Sequence, residues 1–159
     1  MSEERGKNQG NDKKILMFGC SVAGLLMLGT VVVLAVIAVP NYLSMNQKAK
    51  RAEIPLNLKG IKMAQLAYQQ EFDVYVSARP YPPYPSKTTQ PWMRSASDGF
   101  AVMDWSPDGD VRGSYWVDVG PTNFTVTGIC DVDGDGVFAT YVATKSENPN
   151  APITAPNIY

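Results

Sequence analysis

Residues 48–75 read KAKRAEIPLNLKGIKMAQLAYQQEFDVY. Within this stretch Ile54, Leu58, Ile61, Gln65, Tyr68, Phe72 and Tyr75 recur at alternating steps of four and three residues. Such steps return to one face of a 3.6-residue helix, so they predict an amphipathic helix whose stripe needs an apolar surface to lie on. Gln65 interrupts an otherwise apolar row. Lys59, Lys62, Gln69 and Asp73 fall on the opposite face and are expected in water. Helical spacing reaches back to Asn41, and the amphipathic helix is assigned to residues 40–78. Pro55 is expected to bend it or loosen a turn, because proline offers no N–H and crowds the preceding turn.

Upstream, Ile15 to Val39 reads ILMFGCSVAGLLMLGTVVVLAVIAV, 25 residues without charge, amide or proline. As a helix this run would be about 37 Å long, against a bilayer core of roughly 30 Å. It predicts a transmembrane helix over 15–39, with residues 1–14 as a cytoplasmic leader. Pro40 is expected to end or kink the helix. The pairs Gly19/Ala23 and Cys20/Gly24 are small residues four apart, a spacing that lets a second helix approach closely. Arg5, Lys7, Lys13 and Lys14 on one flank are nearly balanced by Lys48, Lys50 and Arg51 on the other. The positive-inside count therefore leaves the orientation open.

Downstream, residues 80–91 (PYPPYPSKTTQP) carry five of the twelve prolines. A proline-rich loop over 79–99 follows, and its tyrosines are expected to pack on the domain. Phe100–Trp105, Ser114–Val119, Asn123–Ile129 and Val137–Ala143 are short runs rich in Val, Thr, Tyr, Phe and Trp, separated by SPDGDVRG, GPT and DVDGDG. They predict an antiparallel β head over 100–145. The tail 146–159 is expected to lie across the surface or to be flexible. The fold class is α+β: a long N-terminal helix, transmembrane then amphipathic, packed on a four-stranded antiparallel sheet.

Composition narrows the chemistry. The 159 residues include 14 Lys+Arg and 15 Asp+Glu, no histidine and two cysteines. A near-neutral chain gives no electrostatic footprint for nucleic acid. The lack of histidine removes the commonest general base, and two cysteines cannot make a four-cysteine zinc site. With no G-x-S-x-G elbow, P-loop or C-x-x-C either, a non-enzymatic role is expected. Cys20 and Cys130 belong to segments that cannot pair within one chain, and Cys130 reads as a small buried residue. Charge is unevenly spread. Residues 48–62 carry five cations and one acid, a net of +4; residues 98–147 carry nine acids and two cations, a net of −7. A basic stalk and an acidic head could attract each other between neighbouring subunits, or the basic run could meet anionic lipid or water.

Asp131, Asp133 and Asp135 alternate ahead of Gly136. This is the opening half of a calcium loop, in which hard oxygen ligands suit a hard cation. Val142 stands where an EF-hand needs its closing carboxylate. Calcium would therefore need the Val137 carbonyl, or Asp108 or Asp110 from another turn. Asp and Gly also favour an acidic turn for backbone reasons alone.

Residues 31–45 (VVVLAVIAVPNYLSM), with Lys48-Ala49-Lys50, Glu53, Asn57-Leu58-Lys59, Ile61, Ala64-Gln65 and Tyr75 behind them, resemble the N-terminal helix of type IV pilins. In the head, Asp104–Gly109 with Tyr115-Trp116-Val117 and Asp131–Gly136 with Ala139-Thr140-Tyr141 are similar to that family's strand-turn-strand and closing hairpin. The resemblance implies a structural subunit that anchors in the inner membrane by a single pass, carries a periplasmic head, and enters an extracellular pilus or a pseudopilus. Its implied partners are other pilin subunits, the pilus or secretion machinery, and the lipid bilayer. Helix packing falls to Gly19, Ala23, Gly24, Pro40, Ile54, Leu58, Ile61, Tyr68 and Phe72. Gly19 and Cys20 stand where leader cleavage would occur. The chain departs from the family in having no acidic residue between Asp12 and Glu53, where members carry a membrane glutamate. That gap points to a minor component. A type II secretion pseudopilin, or an uncleaved single-pass protein with a ligand-binding head, remain the alternatives.

Overall fold

The computed structural model describes residues 27, 29, 30, 32–93 and 98–159, which fall in two compact units, Met1–Ser44 and Met45–Tyr159. In the first unit the described backbone is helical, and it stays helical through Pro40 without ending there. Its apolar side chains lie open to solvent, Ile37 at 66% exposure among them.

The expected transmembrane helix is corrected by this structure. Among the described residues no helix is long and apolar enough to cross a membrane. The reason is local. The described apolar run 32–39 gives way to Asn41, Asn46 and Gln47 and then to Lys48, Lys50 and Arg51 while the backbone is still helical. The inner-membrane, single-pass location rested on that span and is corrected with it. Most of the first part of the expected span, residues 15–26, lies outside the described residues, as does the expected leader 1–14.

The second unit is a helix laid on an antiparallel sheet. Helical backbone over 45–51 turns at Ala52 and resumes as α1, Glu53–Phe72. Pro55 accounts for the interruption, since it has no N–H to give the Arg51 carbonyl one turn earlier. The helix stops at Asp73, which adopts a left-handed conformation (φ 61°) and donates its N–H to the Gln69 carbonyl, 2.9 Å. It is thus shorter than the assigned 40–78, and Tyr75 lies beyond it.

The sheet contains β1 (Ala78–Tyr81), β2 (Ser114–Val119), β3 (Phe124–Cys130) and β4 (Ala139–Thr144), in the order β1-β2-β3-β4. All neighbours are antiparallel. The first strand is not where the sequence pattern put it. Phe100–Trp105 opens inside a short helix, α2 (Asp98–Val102), and the true edge strand lies at the start of the expected proline-rich loop. An edge position explains how ARPY serves as a strand, because Pro80 needs no ladder partner on its open side. Trp92 then organises the aromatic residues between β1 and β2. Its ring meets Tyr81 at 4.9 Å, Phe100 at 5.3 Å and Trp105 at 5.4 Å, each edge-on.

The register fixes where α1 sits. Tyr115, Gly128 and Tyr141 are cross-strand neighbours on three successive strands. Gly128 is the low point between two large rings, and Ile54 and Leu58 of α1 settle over it. A Cβ at Gly128 would come within 2.4 Å of Leu58 Cδ1 and 2.8 Å of Ile54 Cγ2. Ile54, Leu58 and Ile61 are fully buried against Val117, Val126, Cys130 and Ala143. Farther along the stripe contact is lost. Tyr68 is half-buried and stacks on Phe72 at 4.4 Å, while Phe72 is 52% exposed.

Candidate functional site

The β3–β4 turn gathers the predicted acidic residues. The ladder ends at the Cys130–Ala139 pair, and the intervening residues form a loop held at both ends. Val132 is buried beneath it and donates its N–H to the Tyr159 carbonyl, 3.0 Å. Asp131 wraps its carboxylate inside the loop. Its Oδ1 accepts the N–H groups of Gly134 (2.7 Å) and Asp135 (3.1 Å), and its Oδ2 that of Gly136 (3.1 Å). Gly134 (φ 78°) and Gly136 (φ 83°) supply the left-handed residues this curl requires. Asp135 Oδ1 accepts the Val137 N–H at 2.7 Å.

One carboxylate oxygen each from Asp131, Asp133 and Asp135 lies within 4.8 Å of the others. Three negative charges that close repel one another, and a hard cation with oxygen preference would relieve them. Asp133 Oδ1 is shielded from solvent and accepts no hydrogen bond. Such an atom is costly unless something satisfies it. The donor set therefore fits a metal ion. Against it stands Lys87, whose ammonium donates to the Asp133 carbonyl at 2.9 Å and brings a positive charge to the loop. Asp108 and Asp110 do not join this cluster; they line a groove beside α1.

A second polar centre was not read from the sequence. Glu53, in the first turn of α1, accepts from the N–H groups of Arg112 (2.8 Å) and Gly113 (3.3 Å) and from the Tyr115 hydroxyl (2.9 Å). Asn57, one turn on, donates to the same hydroxyl at 2.9 Å. The Arg112 guanidinium lies 3.6 Å from Glu53 Oε2. Burial, with the Glu53 charge adding to it, pushes the Tyr115 hydroxyl far above its ordinary range, so it remains a neutral donor. These groups pin the start of α1 to the start of β2. The only sequence signal was an acid just ahead of Pro55, in the first helical turn.

Three side chains expected on a solvated or merely apolar surface also turn inward. Gln65 is fully buried. Its amide donates to the Val76 carbonyl, and its Oε1 accepts the Val76 N–H at 3.1 Å. Lys62 is buried, with its ammonium on the Glu147 carbonyl (2.9 Å) and Asn148 Oδ1 (3.0 Å). Arg51 is buried, donates to the carbonyls of Pro156 (3.2 Å) and Ile158, and lies over the Tyr159 ring at 5.0 Å. Two of the five cations of the basic run are thus consumed in fastening residues 147–159. Cys130 is buried, and that burial lifts its thiol to about 12.

Of the helix-packing residues, Ile54, Leu58 and Ile61 meet the sheet, Tyr68 and Phe72 meet mainly each other, and Pro40 is exposed. Gly19, Cys20, Ala23 and Gly24 lie outside the described residues. Comparison with family models, with curated proteins and with solved structures finds no match to this chain.

Proposed function

We propose that the chain is a pilin-like structural subunit, a minor component of a pilus or pseudopilus, that works by assembly and performs no catalysis. The observation that carries this reading is the unsheltered apolar surface of the first unit. Val32, Val33, Leu34, Val36, Ile37 and Val39 are all exposed on helical backbone. A helix apolar on every side is stable only when surrounded, and in a filament the same helix of neighbouring copies would surround it. The helix-on-sheet head, with its two polar fastenings, would form the outer surface. The pilin resemblance of residues 31–75 supports the same reading, and the lack of an acid between Asp12 and Glu53 favours the minor place.

Shear fractionation of producing cells, followed by electron microscopy of the released material, tests it. The protein is expected in the sheared filaments, and Ile37→Asp is expected to remove it from them while leaving the melting of the head unchanged. Protein that never leaves the cells, or an Ile37→Asp variant that assembles normally, overturns the reading.

The aspartate loop supports a second property, calcium binding. Asp131, Asp133 and Asp135 would supply carboxylates, the Val137 carbonyl a fourth oxygen, and the ion would tie the β3–β4 turn together. At calcium 100 to 1,000 times the dissociation constant the head should gain about 3–4 kcal/mol. Thermal melts of the full chain in calcium and in chelator read this directly. Asp133→Asn is expected to abolish the difference, and equal melting in both solutions refutes the assignment.

A further inference from the structure

We propose that the groove between α1 and the Trp105–Val111 segment receives residues 45–49 of a second copy of this chain. The inference rests on the assembly reading above and names a surface through which one head would engage the next.

The groove has a volume of about 550 Å³. Leu56, Gly60 and Met63 form one wall. Leu56 is 69% exposed and Met63 65%, so α1 turns a second apolar stripe away from its own sheet. Trp105 lines the other side and lies so close to Gly60 that a Cβ there would come within 2.6 Å of its indole nitrogen. Asp108 and Asp110 line the loop side, both exposed and neither ion-paired among the described residues, while Glu53, Asn57 and Lys59 add polar groups on the helix side. The loop side is therefore negative; on the helix side Leu56, Gly60 and Met63 are apolar, Lys59 is a cation, and Glu53 is already engaged by Arg112.

The matching shape and charge lie on the same unit. Met45, Lys48, Ala49 and Ala52 are exposed and share one helix face by their spacing. Met45 is 63% exposed and unbranched, able to fill an irregular apolar slot. Lys48 brings a cation with no ion-pair partner among the described residues, and Ala49 and Ala52 keep the approach close. Lys48 complements Asp108 and Asp110 as Met45 complements Leu56 and Met63. This segment belongs to the chain that leads directly into α1 and stands on the same outward stripe, so it cannot fold back into its own groove. A second copy can present it. Because groove and segment are different surfaces, each copy that receives one neighbour still offers its own segment to another. Such a heterologous contact propagates instead of closing on a dimer, and the opposed charges set its direction.

Cross-linking of full-length chains tests the contact. Lys48→Cys and Asp110→Cys are placed on two differently tagged copies, both carrying Cys20→Ser, and mixed under mild oxidation. A disulfide between the two tags, absent when either variant is oxidised alone, is the expected result. No cross-link between the tags overturns the proposal, and so does equal pairing of Lys48→Cys chains with one another, which would mean a symmetric contact. Charge reversal gives a second reading. Lys48→Glu should weaken self-association about tenfold, Asp108→Lys/Asp110→Lys similarly, and the three combined should restore it. Failure of the combination to recover association also overturns the contact. Microscopy of the same samples keeps the two readings separate: filaments without the cross-link leave assembly standing and remove this surface, whereas the cross-link in discrete oligomers keeps the surface and removes the filament.

Discussion

Gln65 illustrates how one side chain can belong to two kinds of structure. By position it interrupts an apolar stripe, and burying an amide is costly unless its hydrogen bonds are met. Here the amide presents a donor and an acceptor to the backbone of Val76, as a neighbouring strand would. It thereby tethers the chain just after α1 ends and just before β1 begins. Gln65→Leu should destabilise the head by about 2–3 kcal/mol, because both Val76 groups lose their partner. Gln65→Glu, which can still accept the Val76 N–H but cannot donate to its carbonyl, should fall between the two in denaturant unfolding. An equally stable Gln65→Leu variant would show that water replaces the tether without cost. The helical period revealed the buried face, yet it carried no information on what the polar member of the stripe would meet. Arg51 and Lys62 were opaque for the same reason: their partners are carbonyls about 85 to 107 residues away.

At the scale of elements, β2 was legible residue for residue, and β3 and β4 to within two at either end. Alternating Val, Thr and aromatic residues between glycine-rich turns leave little ambiguity. The edge strand was hidden because Ala78–Tyr81 is short and contains Pro80, two features that lower strand propensity everywhere except at an edge. Phe100–Trp105 misled in the opposite direction. Its aromatic residues serve the cluster around Trp92, and a half-buried ring gives the same sequence signal in a short helix as in a strand. The end of α1 was extended too far because the stripe continues through Phe72 to Tyr75, whereas the backbone reverses at Asp73. A non-glycine residue in that left-handed conformation carries strain that glycine would not. Asp73→Gly should therefore raise stability by about 0.5–1 kcal/mol, read as a higher denaturant midpoint with an unchanged slope. A lower midpoint would mean that the Asp73 side chain itself caps the helix.

For the molecule as a whole, net charge near zero conceals a division of labour. Part of the basic run is spent internally, on the carbonyls of residues 147–159, which leaves Lys48, Lys50 and Lys59 for the outside. The aspartate cluster was legible as a motif, and the loop places its carboxylates together, but the sequence could not tell that Lys87 would lean on the same turn. Buried ionisable groups also make the head sensitive to alkali. Cys130 ionises near 8.5 in an unfolded chain and at about 12 in the folded one. Its contribution is complete below the lower value and is lost as pH climbs toward the upper one, since only the unfolded chain releases the proton. Tyr115 and Tyr141, both raised by burial, extend the loss at higher pH. Unfolding free energies measured from pH 7 to 11 should fall above about pH 8.5, and Cys130→Ala should flatten the first part of that fall. A flat profile for the unsubstituted protein would contradict it.

The sequential order of the strands also governs how the head can form in time. β2, β3 and β4 follow one another through connections of 4 and 8 residues (120–123 and 131–138). This part of the sheet can therefore grow by short loop closures, the kind that cost least entropy and proceed fastest, whereas β1 joins across the 32 residues 82–113. The helix is different. Its seat over Gly128 and its link from Glu53 to Tyr115 join parts of the chain that are about 60 to 75 residues apart. The docking surface for α1 is complete only once β2, β3 and β4 lie side by side. A head built in that order would pass through a stage with its sheet paired and its helix still undocked, leaving Ile54, Leu58 and Ile61 without cover. At that stage a neighbouring chain could compete for the helix before its own sheet captures it.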